Sequence, residues 1–310
     1  MNLNKISPYP TPLIKLESDY LNKQNVNLYI KRIDLIHPYI SGNKWFKLFY
    51  NLIEAKEIGE DTLLTFGGAF SNHIYAVAAA GNEYGFKTIG IIRGEKHLPL
   101  NPTLRFAESC GMKFYFVNRS LYRQKESSEF KEWLEDKFGN FYLLPEGGTN
   151  SLAVKGCSEI ITSIDMEFDY ICTACGTGGT LAGLVCGLSG KENALGFSVL
   201  KGGDFLIKNV EKNIQKFSGE IFHNWDIKLN YHFGGYAKIT NELINFVKMF
   251  EKNYGVPIEP IYTGKMIYGI FDLIKNNYFK KNSTIIALHT GGMQGLKGLQ
   301  NKIKKYTSSL

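Results

Sequence analysis

The feature of this sequence that most restricts its fold is a regular alternation of short apolar runs with segments of helical periodicity. The apolar runs are rich in β-branched and aromatic residues, and most of them end at a glycine or a polar turn. Near-continuous apolar runs are typical of strands that are buried on both faces of a parallel sheet. The predicted strands cover residues 63–66, 88–92, 113–117, 142–144, 170–174, 196–200 and 284–288.

The segments between these runs predict amphipathic helices. Apolar residues recur at helical spacing from Trp45 to Ile53, and Gly59 marks the end of that segment. Strands that alternate with helices along a whole chain predict an α/β fold with parallel sheets flanked by helices. A chain of 310 residues is long enough for about two domains. Further helices are predicted at residues 130–138, 243–254 and 266–274.

Composition and charge argue against several classes of protein. Hydrophobic residues make up 44% of the chain and charged residues 21%, as in an ordinary globular protein. The net charge is +7, but the lysines are scattered and the densest basic cluster, Lys302–Lys305, is short, so no nucleic-acid partner is expected. No apolar run is long enough to span a membrane. Five widely spaced cysteines and an N-terminal segment without an apolar core predict a reduced, cytoplasmic protein.

The first candidate site residue is Lys44, in the segment Ser41–Lys44 directly before a predicted helix. A cation at the start of a helix is unfavourable, because the helix dipole attracts anions there. Lys44 is therefore either solvated or used covalently. Taken alone, a solvated lysine after a glycine turn is the simpler interpretation.

A second candidate site follows the strand predicted at residues 63–66. Gly67 and Gly68 allow a sharp turn there. Ser71 and Asn72 are good residues to cap a helix, and the N–H groups at a helix start bind carboxylates and phosphates. A capped helix explains Ser71 or Asn72, but not both of them together with His73.

The third candidate is a loop of glycines and threonines between a strand and a helix, which is typical of a phosphate cradle. It lacks the lysine of a Walker loop, and a dinucleotide loop would need glycine in place of Leu181. The loop therefore predicts a site for one phosphate. Cys172 and Cys175 have no second cysteine pair, so no metal site is predicted. The loop consists of Cys175, Gly176, Thr177, Gly178, Gly179 and Thr180.

Two more loops lie at predicted strand ends, Pro145–Asn150 and His289–Gly292, and open α/β sheets bind ligands at this edge. A reactive lysine combined with a cradle for a single phosphate suggests pyridoxal phosphate (PLP). This cofactor requires a lysine for its Schiff base, an anion site and a partner for its pyridine nitrogen.

The segments SGNKWFKL, GGAFSNH, PEGGTN, CGTGGTLAGL, YTGK and HTGG resemble those of the PLP-dependent family of D-cysteine desulfhydrases and 1-aminocyclopropane-1-carboxylate deaminases. The resemblance extends from about Pro10 to about Gly295. It implies a two-domain tryptophan synthase β-like fold (fold type II). The larger, PLP-binding domain would comprise residues 1–45 and 156–310, and the smaller α/β domain residues 46–155. The family is usually homodimeric.

The resemblance also implies a role for each candidate residue. Lys44 matches the Schiff-base lysine, Asn72 the residue that binds the 3′ oxygen of PLP, and Thr290 the hydroxyl facing its pyridine nitrogen. The implied phosphate site consists of Cys175, Gly176, Thr177, Gly178, Gly179 and Thr180, with Lys47 nearby. The implied catalytic residues are Lys44, Ser71, Tyr236 and Tyr262, and the substrate carboxylate would bind at Ser71, Asn72 and His73.

The implied substrate is a small amino acid, and the implied reaction is β-elimination from D-cysteine or a related D-amino acid. Two positions depart from the family: Phe70 replaces a common glutamine, and Thr263 stands where the cyclopropane deaminases have a glutamate that protonates the pyridine nitrogen. A neutral Thr263 favours loss of a thiolate over ring opening, unless another carboxylate such as Glu146 approaches the ring. The alternatives are 1-aminocyclopropane-1-carboxylate deamination and non-catalytic binding of PLP or phosphate.

Overall fold

The computed structural model describes residues 9–298, and these form two sheets with helices packed around them. The basic cluster Lys302–Lys305 and the first eight residues lie outside the described residues. The strands are β1 (Leu13–Leu16), β2 (Asn27–Lys31), β3 (Thr62–Gly68), β4 (Lys87–Arg93), β5 (Lys113–Val117), β6 (Tyr142–Leu144), β7 (Tyr170–Cys175), β8 (Asn193–Ser198), β9 (Trp225–Lys228) and β10 (Thr284–Leu288).

The helices alternate with these strands along most of the chain. They are α1 (Asp19–Gln24), α2 (Asn43–Glu57), α3 (Asn72–Tyr84), α4 (Pro102–Ser109), α5 (Arg119–Arg123), α6 (Ser128–Phe138), α7 (Ser151–Thr162), α8 (Gly179–Leu188), α9 (Phe205–Ser218), α10 (Asn241–Tyr254) and α11 (Thr263–Lys275). Their ends follow local signals. Ser127 caps α6 by accepting a hydrogen bond from the Phe130 N–H group, and Gly139 and Gly255 follow the last residues of α6 and α10.

The larger sheet has six strands in the order β1-β2-β10-β7-β8-β9, and the smaller has four in the order β5-β4-β3-β6. All neighbouring strands are parallel except the antiparallel pair β1 and β2. In the central pairing, Ile286 of β10 lies opposite Tyr29 of β2 and Ile171 of β7. The α/β fold with parallel sheets flanked by helices is confirmed.

Each predicted strand corresponds to a strand of the structure, but the larger sheet contains one strand with shifted bounds and three strands that were not predicted. Residues 113–117, 142–144 and 284–288 form strands with the predicted bounds, whereas the strand predicted at 196–200 begins and ends earlier, at Asn193–Ser198. The sequence analysis missed β1, β2 and β9. The edge strands β1 and β9 have only four residues each, and β2 mixes polar with apolar residues, so none shows a long apolar run.

Three buried clusters hold these layers together. One lies between the larger sheet and helices α10 and α11, and a small one covers the outer face of the smaller sheet under α6. The largest runs continuously through α2, α3, α7 and α8 and so joins the helices of both sheets. All strands of the smaller sheet fall within residues 46–155, but the domain boundaries themselves stay a prediction.

One close contact within the largest cluster determines how near α2 lies to α7. A Cβ atom at Gly156 of α7 would lie 1.8 Å from the Phe46 carbonyl oxygen, so only glycine permits α2 to approach this near. Within residues 9–298, no helix is long and apolar enough to cross a lipid bilayer.

Candidate active site

A cavity of about 1500 Å³ opens at the carboxyl ends of strands from both sheets. Loops that follow β3, β4, β6, β7 and β10 line it, which is where ligands bind in open α/β sheets. Among the lining residues are Lys44, Lys47, Ser71, Asn72, His73, Cys175, Gly176, Thr177, Gly178, Thr180, Tyr236, Tyr262 and Thr290. Of the site residues predicted from sequence, only Gly179 is not among them; it is the first residue of α8.

Lys44 lies in the first turn of α2, and the turn before it determines its position. Gly42 has a φ of 65°, and a Cβ atom there would lie 2.0 Å from the Thr290 carbonyl oxygen. This close packing brings the start of α2 against the loop after β10. The Lys44 Nζ donates to the Asn43 Oδ1 at 3.2 Å. Burial and the neighbouring Lys47 lower the pKa of Lys44 to about 7, so a large share of it is a neutral, nucleophilic amine at neutral pH.

Lys47 lies one turn further along α2, and its side chain is only 2% exposed. Its Nζ donates to the Gly147 carbonyl oxygen at 3.1 Å, to the Thr149 Oγ1 at 3.0 Å and to the Thr177 Oγ1 at 3.4 Å. A Cβ atom at Gly179 would lie 3.1 Å from the same Nζ. Lys47 therefore places an amino group directly beside the glycine–threonine loop.

The glycine–threonine loop has the geometry of an anion cradle. Gly178 caps α8 with a φ of 81°, and a Cβ atom there would lie 2.7 Å from the Val210 Cγ2. The first N–H groups of a helix have no partner within the helix and are suited to bind an anion. Asn43 ties the loop to α2, because its Nδ2 donates to the Thr180 Oγ1 at 2.8 Å. The anion site and Lys44 are thus parts of one connected structure.

The predicted carboxylate site at the start of α3 is partly engaged within the protein. The Ser71 Oγ accepts hydrogen bonds from the N–H groups of His73 at 3.2 Å and Ile74 at 3.3 Å. The Ser71 N–H group itself donates to the Gly68 carbonyl oxygen at 3.0 Å. A substrate carboxylate at Ser71, Asn72 and His73 must therefore compete with two internal hydrogen bonds.

Asn72 and His73 present different groups at this position. The Asn72 Oδ1 accepts from the Gln294 Nε2 at 2.8 Å, and its Nδ2 lies against Gly292, where a Cβ atom would be 2.9 Å away. The His73 imidazole is buried and its Nε2 pairs with the Thr65 Oγ1 at 2.9 Å. Burial, and then the positive charges of Lys44 and Lys47, lower the pKa of His73 well below its usual value, so the ring is neutral.

Tyr236 and Tyr262 are distant in sequence but neighbours in the cavity, with ring centroids 5.8 Å apart and one edge facing the other ring. Burial raises the pKa of both phenols. Burial raises the pKa of Tyr262 well above its usual value, and the nearby Tyr236 raises it further. Tyr236, which is 40% exposed, is therefore the phenol better able to exchange a proton with a ligand.

Thr263, the neutral residue that replaces a family glutamate, does not line the cavity. Its side chain is 0% exposed. Thr263 therefore brings no charge to the cavity, and the expectation that its replacement of a glutamate favours loss of a thiolate stays a prediction. Glu146 does line the cavity, and it forms an ion pair with Lys125 at 3.3 Å.

Sequence analysis missed three residues that shape this site: Arg93, Glu259 and Lys265. Arg93 ends β4 at the cavity, a position that the strand prediction had nearly reached. The Glu259 carboxylate accepts hydrogen bonds from the Ile261 N–H group, just before α11, at 2.6 Å and from the Thr263 N–H group, at its start, at 2.6 Å. Burial raises the pKa of Glu259 to about 7. For Glu259, the available sequence signal was a glutamate seven residues before the helix predicted at residues 266–274.

Comparison with known proteins identifies relatives along nearly the whole chain. Residues 6–291 match the sequence profile of the family described as pyridoxal-phosphate dependent enzyme. A Thermotoga maritima protein provisionally named 1-aminocyclopropane-1-carboxylate deaminase is 33% identical, over 94% of this chain and 96% of its own length. An Arabidopsis thaliana protein is named bifunctional D-cysteine desulfhydrase/1-aminocyclopropane-1-carboxylate deaminase, mitochondrial. It is 31% identical over 93% of this chain and 77% of its own length.

Solved structures with the same architecture include enzymes of different names. The crystal structure of a 1-aminocyclopropane-1-carboxylate deaminase homologue has a TM-score of 0.85 and 27% identity, and the match covers 97% of this chain and 95% of that one. A hydrogen sulfide-producing enzyme from Fusobacterium nucleatum has a TM-score of 0.67 at 16% identity, covering 94% of this chain and 99% of that one. The second likeness concerns the fold alone.

Proposed function

Since this chain belongs to the family of pyridoxal-phosphate dependent enzymes and has the architecture of their fold-type II members, we propose that it catalyses β-elimination from D-cysteine or a related D-amino acid. With D-cysteine and water, the products are pyruvate, ammonia and hydrogen sulfide. The family assignment makes the chain a PLP-dependent lyase or deaminase and PLP its cofactor. The substrate and the role of each residue are the parts that we propose.

The residues of the cavity fit the cofactor. Lys44 supplies an amine with a pKa of about 7, which suits covalent attachment to an aldehyde. The cradle before α8, where a Cβ atom at Gly178 would clash with Val210, suits one phosphate, and Lys47 adds a donor beside it. The Asn72 amide and the Thr290 hydroxyl are the polar groups proposed for the 3′ oxygen and the pyridine nitrogen.

The chain's own groups would then bind the substrate and move protons. When bound, PLP withdraws electrons from the Cα atom of the amino acid. The Lys44 Nζ is the proposed acceptor of the Cα proton, because its lowered pKa leaves a large share of it neutral at neutral pH. Ser71 and Asn72 orient the substrate carboxylate at the start of α3. The Tyr236 hydroxyl, supported by Tyr262, is the proposed donor to the leaving sulfur atom.

One observation supports β-elimination over ring opening: the proposed partner of the pyridine nitrogen, Thr290, is neutral. Glu259 packs behind Gly292, but it does not line the cavity and its oxygens accept backbone hydrogen bonds. Loss of a thiolate needs less electron withdrawal, because thiols have a pKa of about 8.5 and leave readily. Opening a cyclopropane breaks a carbon–carbon bond in a substrate without an α-hydrogen. Ring opening of 1-aminocyclopropane-1-carboxylate is the second candidate, because the Arabidopsis relative is named for both activities.

A substrate panel tests this proposal. The holoenzyme is assayed with D-cysteine, L-cysteine, D-serine, β-chloro-D-alanine and 1-aminocyclopropane-1-carboxylate, with detection of keto acid and, for cysteine, of sulfide. We expect kcat/KM for D-cysteine to exceed that for the cyclopropane acid at least about tenfold, which corresponds to about 1.4 kcal/mol. Comparable values, or a preference for the ring substrate, would contradict the proposal. Retained activity in Lys44→Ala would show that the products do not arise at this site.

We also propose that the protein is a cytoplasmic homodimer with domains at residues 1–45 together with 156–310, and at 46–155. The resemblance to the family supports the dimer and the domain division. All five cysteines have free thiols, which accords with a reducing compartment. Light scattering of the purified protein tests the dimer: a mass of one chain, 35.0 kDa, would contradict it.

A further inference from the structure

Lys265 is a buried cation that the proposed reaction does not use. Its side chain is 0% exposed, and it lies on α11 three residues after Tyr262. Its Nζ donates to two backbone carbonyl oxygens, those of His232 and Gly235, both at 2.8 Å. Burying a charge is unfavourable unless it is paired or hydrogen-bonded, and these carbonyl groups, together with Glu259, supply that compensation.

The carbonyl groups belong to a segment with an unusual backbone. In residues 232–237, positive φ angles occur at Phe233 (52°), Gly234 (92°), Gly235 (122°) and Ala237 (54°). Phe233 and Ala237 are strained in this conformation, because their Cβ atoms crowd the backbone. Such strain persists only where the surroundings hold the backbone in place.

This segment carries Tyr236 to the cavity. Tyr236 stands between Gly235 and Ala237, and the Gly235 carbonyl is one of the two that Lys265 binds. Tyr262, the residue directly before the first residue of α11, contacts the Tyr236 ring. The helix therefore fixes one tyrosine through its own backbone and the other through the Lys265 ammonium group.

We propose that Lys265 is a positioning residue, which holds the strained segment 232–237 in the conformation that presents Tyr236 to the substrate. This inference rests on the proposed function only in taking Tyr236 to act on the substrate. Its structural part, that Lys265 restrains residues 232–237, is independent of the substrate's identity.

The test uses Lys265→Met in the holoenzyme, because methionine fills similar space without a donor. Lys275→Met is the matched control, since Lys275 is an exposed lysine in the last turn of the same helix. Amide hydrogen exchange is measured on peptides that cover residues 232–237 and α11. We expect Lys265→Met to increase exchange at 232–237 at least about tenfold and to leave most of α11 protected. Lys275→Met should change neither segment.

Kinetics then connect the segment to Tyr236. With whichever substrate the panel identifies, Lys265→Met should lower kcat about tenfold or more and change KM less than threefold. In a Tyr236→Phe background, the same substitution should lower kcat less than threefold, because the group that it positions is already absent. Lys265→Arg, which keeps the charge and the donors, should restore part of kcat.

Unchanged exchange at 232–237, or equal kcat losses in the two backgrounds, would overturn the proposal. If Lys265→Met does not fold, Lys265→Gln is measured in the same way, since it keeps a donor but removes the charge. Because hydrogen exchange needs no substrate, a wrong substrate assignment would leave the exchange result intact. Failure of the inference and failure of the proposed function are therefore distinguishable.

Discussion

Lys44 and Lys47 stand one turn apart at the start of α2, yet their surroundings suit them to different tasks. Lys47 donates to three oxygen atoms of the loops after β6 and β7, which fix its position. Among the hydrogen bonds of the described residues, the Lys44 Nζ donates one, to the Oδ1 atom of its neighbour Asn43 at 3.2 Å. The less constrained amine, with its pKa of about 7, is the one suited to covalent chemistry.

The first prediction assigns the covalent bond to Lys44. Reduction of the holoenzyme with borohydride, followed by peptide mapping, should place the pyridoxyl group on Lys44. Lys44→Ala should lower kcat at least about 10²- to 10⁴-fold, as expected when a general base is removed. Lys56→Ala, an exposed lysine of the same helix, is the control and should keep full activity. A pyridoxyl group on Lys47 would show that the assignment is wrong.

The second prediction concerns pH. Because burial lowers the pKa of Lys44 from 10.5 to about 7, its neutral fraction in the folded apoprotein rises as the pH increases through about 7. Only the neutral amine attacks an aldehyde, so the rate of PLP capture by the apoprotein should rise from pH 6 to pH 8. Absorbance of the bound cofactor follows this rate. A rate that begins to rise only near pH 10 would mean that Lys44 is not desolvated.

At the scale of elements, the site depends on where helices begin. Helices α2, α3 and α8 all start at the cavity, and each start holds a residue with a proposed role. The start of α2 is pressed against the loop after β10 at Gly42, and α2 is pressed against α7 at Gly156. These two glycine contacts set the position of Lys44 relative to Thr290 and to the anion cradle.

The third prediction tests the cradle through Gly178→Val. A side chain there requires an unfavourable φ of 81° and would clash with Val210, so the start of α8 must shift. We expect the affinity for PLP to fall at least tenfold, or about 1.4 kcal/mol. Gly202→Val is the matched control, because Gly202 also has a positive φ, 68°, but a Cβ atom there meets nothing within 4 Å. Equal PLP affinity in both variants would refute the role of the loop.

At the scale of the whole molecule, basic residues surround the cavity. Eight lysine and arginine side chains line it, against three glutamates. An excess of positive charge around a cleft attracts anions and increases their association rate. The basic residues are Lys44, Lys47, Arg93, Arg119, Lys125, Lys131, Lys212 and Lys216.

The fourth prediction follows from this charge. The association rate of PLP with the apoprotein should fall several-fold as the salt concentration rises from about 0.05 M to about 0.5 M, because salt screens the attraction. Pyridoxal, which lacks the phosphate, is the control ligand and should show little change. If both ligands respond equally to salt, the basic surroundings do not steer the phosphate.

Local sequence determined the elements whose stability depends on their own residues. Continuous apolar runs specified the buried strands, and capping residues such as Ser127 with the following Gly139 specified the bounds of α6. The glycine–threonine loop and Lys44 were recognisable because a phosphate cradle and a lysine at a helix start are unusual in a short stretch of sequence.

Tertiary structure decided whatever depends on contacts between distant segments. The edge strands β1 and β9 form because a neighbouring strand is available, and their four residues alone do not predict it. The pairing of Tyr236 with Tyr262 and the exclusion of Thr263 from the cavity follow from the position of α11. The low pKa of Lys44 arises from its burial at the cavity and from the neighbouring Lys47. Desolvation and long-range contacts depend on the whole packed chain, so no short segment of sequence specifies them.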